Sequence, residues 1–441
     1  MQNLSDSIRF RSIAVAFLGA FAFTYIHQFI VAESTYPVLK YFSAGDFAPF
    51  FYKAKEVAAG AEMYPNLTKP PLFILLLSPL LDYHVNLAAR IFQYLSIGLI
   101  LLSGALFCRS TRQGFWTQIA VLACLSTSWA FGFLIDRANA DGLSMGLATL
   151  SVVSVAGQMP FLGWVLFALG LNIKSNILPL ALPLFLRGRI VGSLNWGLGC
   201  MASILAVAAL TPRWSLQWIE VASQRMKMLV NLDQSTSIYP AWLLLSNGET
   251  LATRFLMVTT TIIVAGIIFQ NFYTKRPNPL LAFTLLLPCT YAYPALTYPY
   301  SMVLFPLLIF TYAFSSLQRG FWGLVFALFG YIGALGILAQ AFPIYYWQRY
   351  LSAQWIGLVP SFGVSITLIA NAILAWSPGL HRSAFVGESH DSPPTTLHRC
   401  GNIIGVVALL GLFSISTYAI VSYALSAPAG PITPGEISPL R

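Results

Sequence analysis

Residues 86–108 read Asn86-Leu87-Ala88-Ala89-Arg90-Ile91-Phe92-Gln93-Tyr94-Leu95-Ser96-Ile97-Gly98-Leu99-Ile100-Leu101-Leu102-Ser103-Gly104-Ala105-Leu106-Phe107-Cys108. The only charge in this run is Arg90, close to its start. A helix needs about 20 consecutive apolar residues to cross the hydrocarbon of a bilayer. Long unbroken runs are helical signals, because a helix satisfies its own backbone polar groups where no water can. The pattern recurs along the chain. Further apolar stretches lie near 12–32, 70–82, 115–135, 139–157, 161–186, 190–211, 251–271, 278–295, 301–317, 321–342, 356–376 and 401–424. Because 70–82 is short, 70–108 reads as one crossing with a break or as two crossings. The expected fold is an all-α polytopic membrane bundle of about 11–13 transmembrane helices, with 13 favoured.

Composition agrees. The 441-residue chain is 57% hydrophobic and 9% charged, with mean hydropathy +0.72. A soluble domain carries charge on about a quarter of its residues. The net charge of +10 fits basic cytoplasmic loops facing anionic headgroups. No basic–aromatic module of a nucleic-acid binder is present. Cys108, Cys124, Cys200, Cys289 and Cys400 are scattered through apolar sequence without a CxxC pair, and read as small packing residues.

Basic residues set the expected orientation. Arg9/Arg11, Arg187/Arg189, Lys275/Arg276, Arg319, and His381/Arg382 with Arg399 all fall on one face of a 13-span chain, the cytoplasmic one. Arg109/Arg112 fall on the other face, in mild conflict. The run 12–32 reads as a retained first span behind a cytoplasmic N-terminus; it is long for a signal peptide and lacks a clear cleavage site. One transmembrane domain is expected over 1–425. Its first external loop is 33–69, its second is 212–250, and 383–399 is a flexible cytoplasmic loop. Residues 426–441, with four prolines, read as a disordered tail.

The outer face then gathers the chemistry. Loop 33–69 concentrates Glu33, Asp46, Glu56 and Glu62 with Lys40, Lys53, Lys55 and Lys69. Residues 47–60 place Phe47, Phe50, Phe51, Ala54, Val57 and Ala58 at helical spacing, with Lys53, Lys55 and Glu56 opposite. That pattern predicts an amphipathic helix lying on the membrane surface and closed by Gly60. Asp46 is placed to cap this helix, or to act as a catalytic carboxylate, or both. Lys69, before Pro70-Pro71, either snorkels to headgroups or meets a lipid-linked phosphate. Asn172-Ile173-Lys174-Ser175-Asn176 is a polar knot inside an apolar run. A lysine there costs about 2.5–3.5 kcal/mol on insertion scales, so Lys174 needs a cavity or an anionic partner. Arg137 reads as a local ion-pair partner of Asp136 or Asp141.

The outer loops are rich in aromatics, including Trp214, Trp218, Tyr239, Trp242 and Tyr298. These form an interfacial belt or line a sugar site. The run Asn231–Ser237, containing Gln234 and Ser235, is a turn or a set of partners for sugar hydroxyls. No Walker loop, HExxH, GxSxG or dinucleotide fingerprint occurs, and the five histidines are isolated. A His metal cluster is therefore not expected.

The run Asp46-Phe47 … Phe51-Tyr52-Lys53-Ala54 … Gly60 … Met63-Tyr64-Pro65, then Pro70-Pro71-Leu72 … Ser78-Pro79-Leu80, resembles the start of glycosyltransferase family 87. These are polyprenyl-phosphate-mannose-dependent enzymes of the GT-C fold class. The resemblance continues through Lys174 … Pro179 … Arg187-Gly188-Arg189 and through Asp233-Gln234-Ser235. It departs from the family at Thr297-Tyr298-Pro299-Tyr300-Ser301, where family members often carry a histidine pair. The resemblance implies a polyprenyl-phosphate sugar donor, a lipid or glycan acceptor on the outer face, and inversion at the sugar. It makes Asp46 the general base. Lys69 and Lys174 would then hold the donor phosphate, and Tyr52, Gln234, Ser235 and Tyr298 would contact sugar or acceptor. No cofactor or metal is expected, since lysines can balance the leaving phosphate. The rival expectation is a transporter or flippase of a lipid-linked or polar substrate, which proline-broken spans and a mid-bundle lysine also suit. A non-catalytic scaffold is a third.

Overall fold

The computed structural model describes residues 47–63, 69–111, 138–186, 212–226, 249–273, 278–292 and 353–376, with isolated positions between them. Every regular element among these residues is helical. In chain order the α-helices are α1 (Phe47–Ala58), α2 (Pro71–Leu76), α3 (Val85–Ser110), α4 (Asp141–Ala156), α5 (Pro160–Ile173), α6 (Leu182–Phe185), α7 (Pro212–Met226), α8 (Glu249–Tyr273), α9 (Pro279–Leu286), α10 (Cys289–Ala292) and α11 (Ala353–Ala375). Short 3₁₀ turns occupy Ser78–Leu80 and Ser175–Ala181. Two helices are long and apolar enough to cross a membrane, Val85–Ser110 and Thr250–Gln270. At about 1.5 Å per residue, 26 residues extend about 39 Å. The expected spans 12–32, 321–342 and 401–424 lie outside the described residues, as do 115–135, 190–211 and 301–317 apart from isolated positions. The loop 383–399, the tail 426–441, Cys124, Cys200 and Cys400, Arg109's partner Arg112, and every other basic marker of orientation also lie outside them.

The division that 70–108 allowed is present, and two runs that read as continuous are interrupted as well. Residues 70–108 divide at 77–84, where the 3₁₀ turn and a short loop separate α2 from α3. His84 starts α3, its Nδ1 accepting the N–H of Asn86 at 3.4 Å. The run 161–186 is interrupted at Lys174, which is extended (φ −153°, ψ 122°) and ends α5. Pro179 and Pro183 follow, and each lacks the N–H a continuing helix would need there. The run 278–295 splits at Leu287-Pro288 into α9 and α10. Asn278 caps α9 by accepting the N–H groups of Leu280 and Leu281, each at 3.2 Å, and Pro279 takes the first helical position. At the other end of α9, Asn371 of α11 donates its Nδ2 to the Leu285 carbonyl at 2.7 Å. Pro288 thus stops the helix, and a side chain from another element satisfies an end carbonyl.

The centre of the structure is α4. Its sequence, DGLSMGLATLSVVSVA, is dominated by small residues and is buried around most of its circumference. Small side chains let helix backbones approach closely, the packing mode that works where no hydrophobic drive separates helix from lipid. α4 and α5 form an antiparallel hairpin joined at Gly157–Met159. Its close approach depends on Gly163. A Cβ there would lie 2.6 Å from Val155 Cγ2 and 2.8 Å from the Ser151 carbonyl. Farther along, Ser144 Oγ donates to the Gly170 carbonyl at 3.0 Å. On the far side of the core, α8 packs on α11. Trp376 donates its indole N–H to the Ile262 carbonyl at 3.0 Å and lies against Phe269 at 5.2 Å between ring centroids.

Cys108 and Cys289 are buried free thiols, in keeping with packing roles.

Candidate functional site

α1 forms as its periodicity predicts. Phe47, Phe51 and Ala54 are buried on one face, while Tyr52, Lys55 and Glu56 are exposed on the other. Gly60, at φ +94°, ends it in a left-handed turn. There the Gly60 N–H reaches the Val57 carbonyl at 3.0 Å and the Ala61 N–H reaches the Glu56 carbonyl at 2.9 Å. The apolar face does not lie open to a lipid surface, however. Phe47 packs on Phe92 of α3 at 5.1 Å between centroids, and Phe50 meets Phe73 of α2 edge-on at 5.5 Å. Protein occupies the face that the sequence pattern assigned to lipid. Relative to exposure to water, burying one such phenylalanine stabilises by about 1.5–3 kcal/mol.

The same cluster reaches across the structure. It contains Met63, Phe73, Ile74, Ala138, Ala140, Ile173 and Val221, with Trp214 and Trp218 packed against its edge. Segments distant in sequence therefore meet at one place: α1, α2, the start of α4, the end of α5, and α7. At the surface, Arg213 of α7 pairs with Glu62 just beyond α1.

Two cations border this cluster. Lys69 is buried, with Nζ 5.6 Å from the Phe50 ring centroid and 5.9 Å from that of Phe73. An ammonium over ring faces is held by the aromatic quadrupole. Lys174 pairs with Asp141; its side chain is 26% exposed and that of Asp141 is 0% exposed. The hairpin explains this meeting. α4 runs away from Asp141 for 16 residues and α5 returns over 14, so the two ends come level. The charges also suit the helix ends they occupy, a carboxylate at the start of α4 and an ammonium just past the end of α5.

The entry to α4 is tightly specified. Ala138 adopts φ +48°, an uncommon conformation for a residue with a Cβ. Asn139 follows, and its Oδ1 accepts the N–H of Asp141 at 2.9 Å. Beyond Lys174, Asn176 Nδ2 reaches the Thr290 carbonyl at 3.5 Å, and its buried Oδ1 has no hydrogen-bond partner among the described residues.

The predicted site residues divide as follows. Lys69 and Lys174 border one cluster. Tyr52 stands on the exposed face of α1, 53% accessible, and touches Phe51 edge-on. Asp46, Gln234, Ser235 and Tyr298 lie outside the described residues, as does Arg137. Asp141, named in the sequence only as a neighbour of Arg137, is the partner of Lys174. Two aromatics of the expected second external loop make internal hydrogen bonds. The Tyr239 hydroxyl bonds Thr253 Oγ1 at 3.0 Å, and the Trp242 indole donates to Ser365 Oγ at 3.0 Å. Among the described residues, no three His, Cys, Asp or Glu side chains gather to hold a metal.

This arrangement offers an exposed tyrosine on α1, a buried aromatic-held ammonium and a partly exposed, ion-paired ammonium around one apolar cluster. Such a set suits an amphiphile with an anionic head. No protein-family model matches the chain, and no curated protein matches it.

Proposed function

We propose that this chain is a polytopic membrane glycosyltransferase of the GT-C class, as its resemblance to glycosyltransferase family 87 implies. It would transfer a hexose such as mannose from a polyprenyl-phosphate sugar to a lipid or glycan acceptor. The reaction would take place on the outer face of the cell membrane, with the N-terminus cytoplasmic. The observation that supports this reading best is convergence. α1 begins immediately after Asp46, and its first residue, Phe47, is buried in the cluster that Lys69 and Lys174 border.

In the proposed reaction Asp46 takes the proton of the acceptor hydroxyl as that oxygen bonds to the anomeric carbon. The bond from that carbon to the phosphate oxygen breaks on the opposite side, inverting the centre. Polyprenyl phosphate departs with the electron pair, and the lysines balance its growing charge. Neither cofactor nor metal is needed for this step. Tyr52, Gln234, Ser235 and Tyr298 would contact sugar or acceptor.

The test is Asp46→Asn. The amide keeps the side chain's shape and its capping ability but cannot accept the proton. Transfer from a radiolabelled polyprenyl-phosphate sugar should fall by about 10²–10⁴-fold with donor binding retained. Wild-type transfer rates in a folded variant would reject the role.

One observation favours a second reading, a transporter or flippase. α5 is interrupted at an ion-paired lysine, and broken helices with internal charges mark substrate paths in transporters. On that reading Asp46→Asn leaves transport intact, and neutralising Asp141 and Lys174 together abolishes it.

A further inference from the structure

The Asp141–Lys174 pair is asymmetric. The carboxylate is wholly buried, and the lysine side chain is partly open. The backbone that carries the carboxylate is also held: Asn139 binds the Asp141 N–H, and the Ser144 hydroxyl one turn on ties α4 to α5. The lysine stands at a break, where extended backbone separates α5 from the 3₁₀ turn. Of the two partners, the lysine is the one with room to redirect its charge. An anion approaching Lys174 from its open side would share the ammonium with a carboxylate that cannot leave.

We infer that Asp141 is a resident anion that tunes the Lys174 site to bind a singly charged phosphodiester and to release a doubly charged phosphate monoester. The inference rests on the reading of Lys174 as a donor-phosphate contact. A polyprenyl-phosphate sugar is a diester with one negative charge. The polyprenyl phosphate left after transfer is a monoester that carries up to two. A fixed buried carboxylate beside the shared ammonium repels both, and repels the second charge in addition. Substrate is held, and product is pushed out. Asp141 touches no substrate in this scheme and is not a catalytic residue; its charge acts across the ammonium it shares with the phosphate.

The experiment measures the affinity of the purified full-length protein in nanodiscs for two probes, a polyprenyl monophosphate and its methyl phosphodiester, at pH 8. In Asp141→Asn the amide oxygen still accepts a hydrogen bond from the ammonium, so Lys174 keeps its place. The monoester should then bind about tenfold more tightly, with a smaller gain for the diester. Product inhibition by polyprenyl phosphate should rise in step. Equal weakening of both probes would make Asp141 an orienting residue only, and unchanged affinities would mean that no anion meets the pair; either result overturns the proposal. Asp141→Ser is measured if the asparagine variant does not fold, and failure of both to fold would make Asp141 purely structural and also overturn it. The double variant Asp141→Asn/Lys174→Met separates the two readings. If it binds both probes as tightly as Asp141→Asn alone does, Lys174 is not a phosphate contact, and the donor-site assignment falls with it.

Discussion

Replacing Lys174 by methionine takes the ammonium away from a carboxylate that is wholly buried. Breaking a buried pair from one side costs about 3–5 kcal/mol, whereas replacing both charges is often close to neutral. Lys174→Met should therefore unfold at markedly lower temperature in detergent. Asp141→Asn/Lys174→Met should recover most of the loss. A single variant as stable as the wild type would mean that the pair contributes nothing to the fold. The surface pair Glu62–Arg213 behaves differently, because both side chains are more than half exposed. Solvent screens it, and Arg213→Ala should cost less than about 1 kcal/mol in the same assay. Of these contacts, the sequence signalled that Lys174 needed a partner but did not single out Asp141 among the nearby acids. Arg137 sits four positions away in sequence, and local reading pairs neighbours; the partner was set by the length of the hairpin between the two charges.

The elements carry their own tests. The α4–α5 hairpin closes on Gly163, where a Cβ would press on the Ser151 carbonyl as well as on Val155. Backbone cannot move aside as a side-chain tip can, so Gly163→Ala should cost about 1–3 kcal/mol by thermal unfolding. Little change would show that the helices can separate freely. At the end of the same hairpin Gln158 adopts φ +70°. The N–H of Met159 reaches the Ser154 carbonyl at 2.9 Å and that of Gln158 reaches Val155 at 3.0 Å, the pattern that favours glycine at position 158. Gln158→Gly should stabilise by up to about 1 kcal/mol, and a loss on substitution would show that the glutamine side chain holds the turn. Where helices begin and end was partly readable. Gly60 carries a familiar end signal and acts as such; the Asn278 cap was not singled out in the sequence. The interruption at Lys174 was readable as a polar knot but not as a break, because the run on either side is apolar.

At the scale of the molecule, the distinguishing arrangement is the meeting of residues 47–63 with α7 around one aromatic cluster. Cysteines introduced at Glu62 and Arg213 should be joined efficiently by a short bismaleimide, and absence of the cross-link in folded protein would separate the two segments. The proposed topology has a separate test. A cysteine at Asn66 should be labelled by an impermeant maleimide from outside intact cells; labelling only after permeabilisation would reverse the orientation. Both measurements stand independently of any glycosyl transfer.

The sequence by itself determined the helical class, the apolar runs that become α3 and α8, and the two-faced character of α1. Each follows from periodicity and run length, which are local properties of the chain. The tertiary structure decided what those faces meet. An apolar stripe is the same stripe whether lipid or Phe92 covers it, so only packing could show that α1 docks on α3. A lysine in an apolar run costs the same until its partner is found, and Asp141 became that partner only when α4 and α5 folded back on each other. Lys69 shows the same division: its charge was plain in the sequence, but its seat over Phe50 and Phe73 required α1 to fold back onto the start of α2.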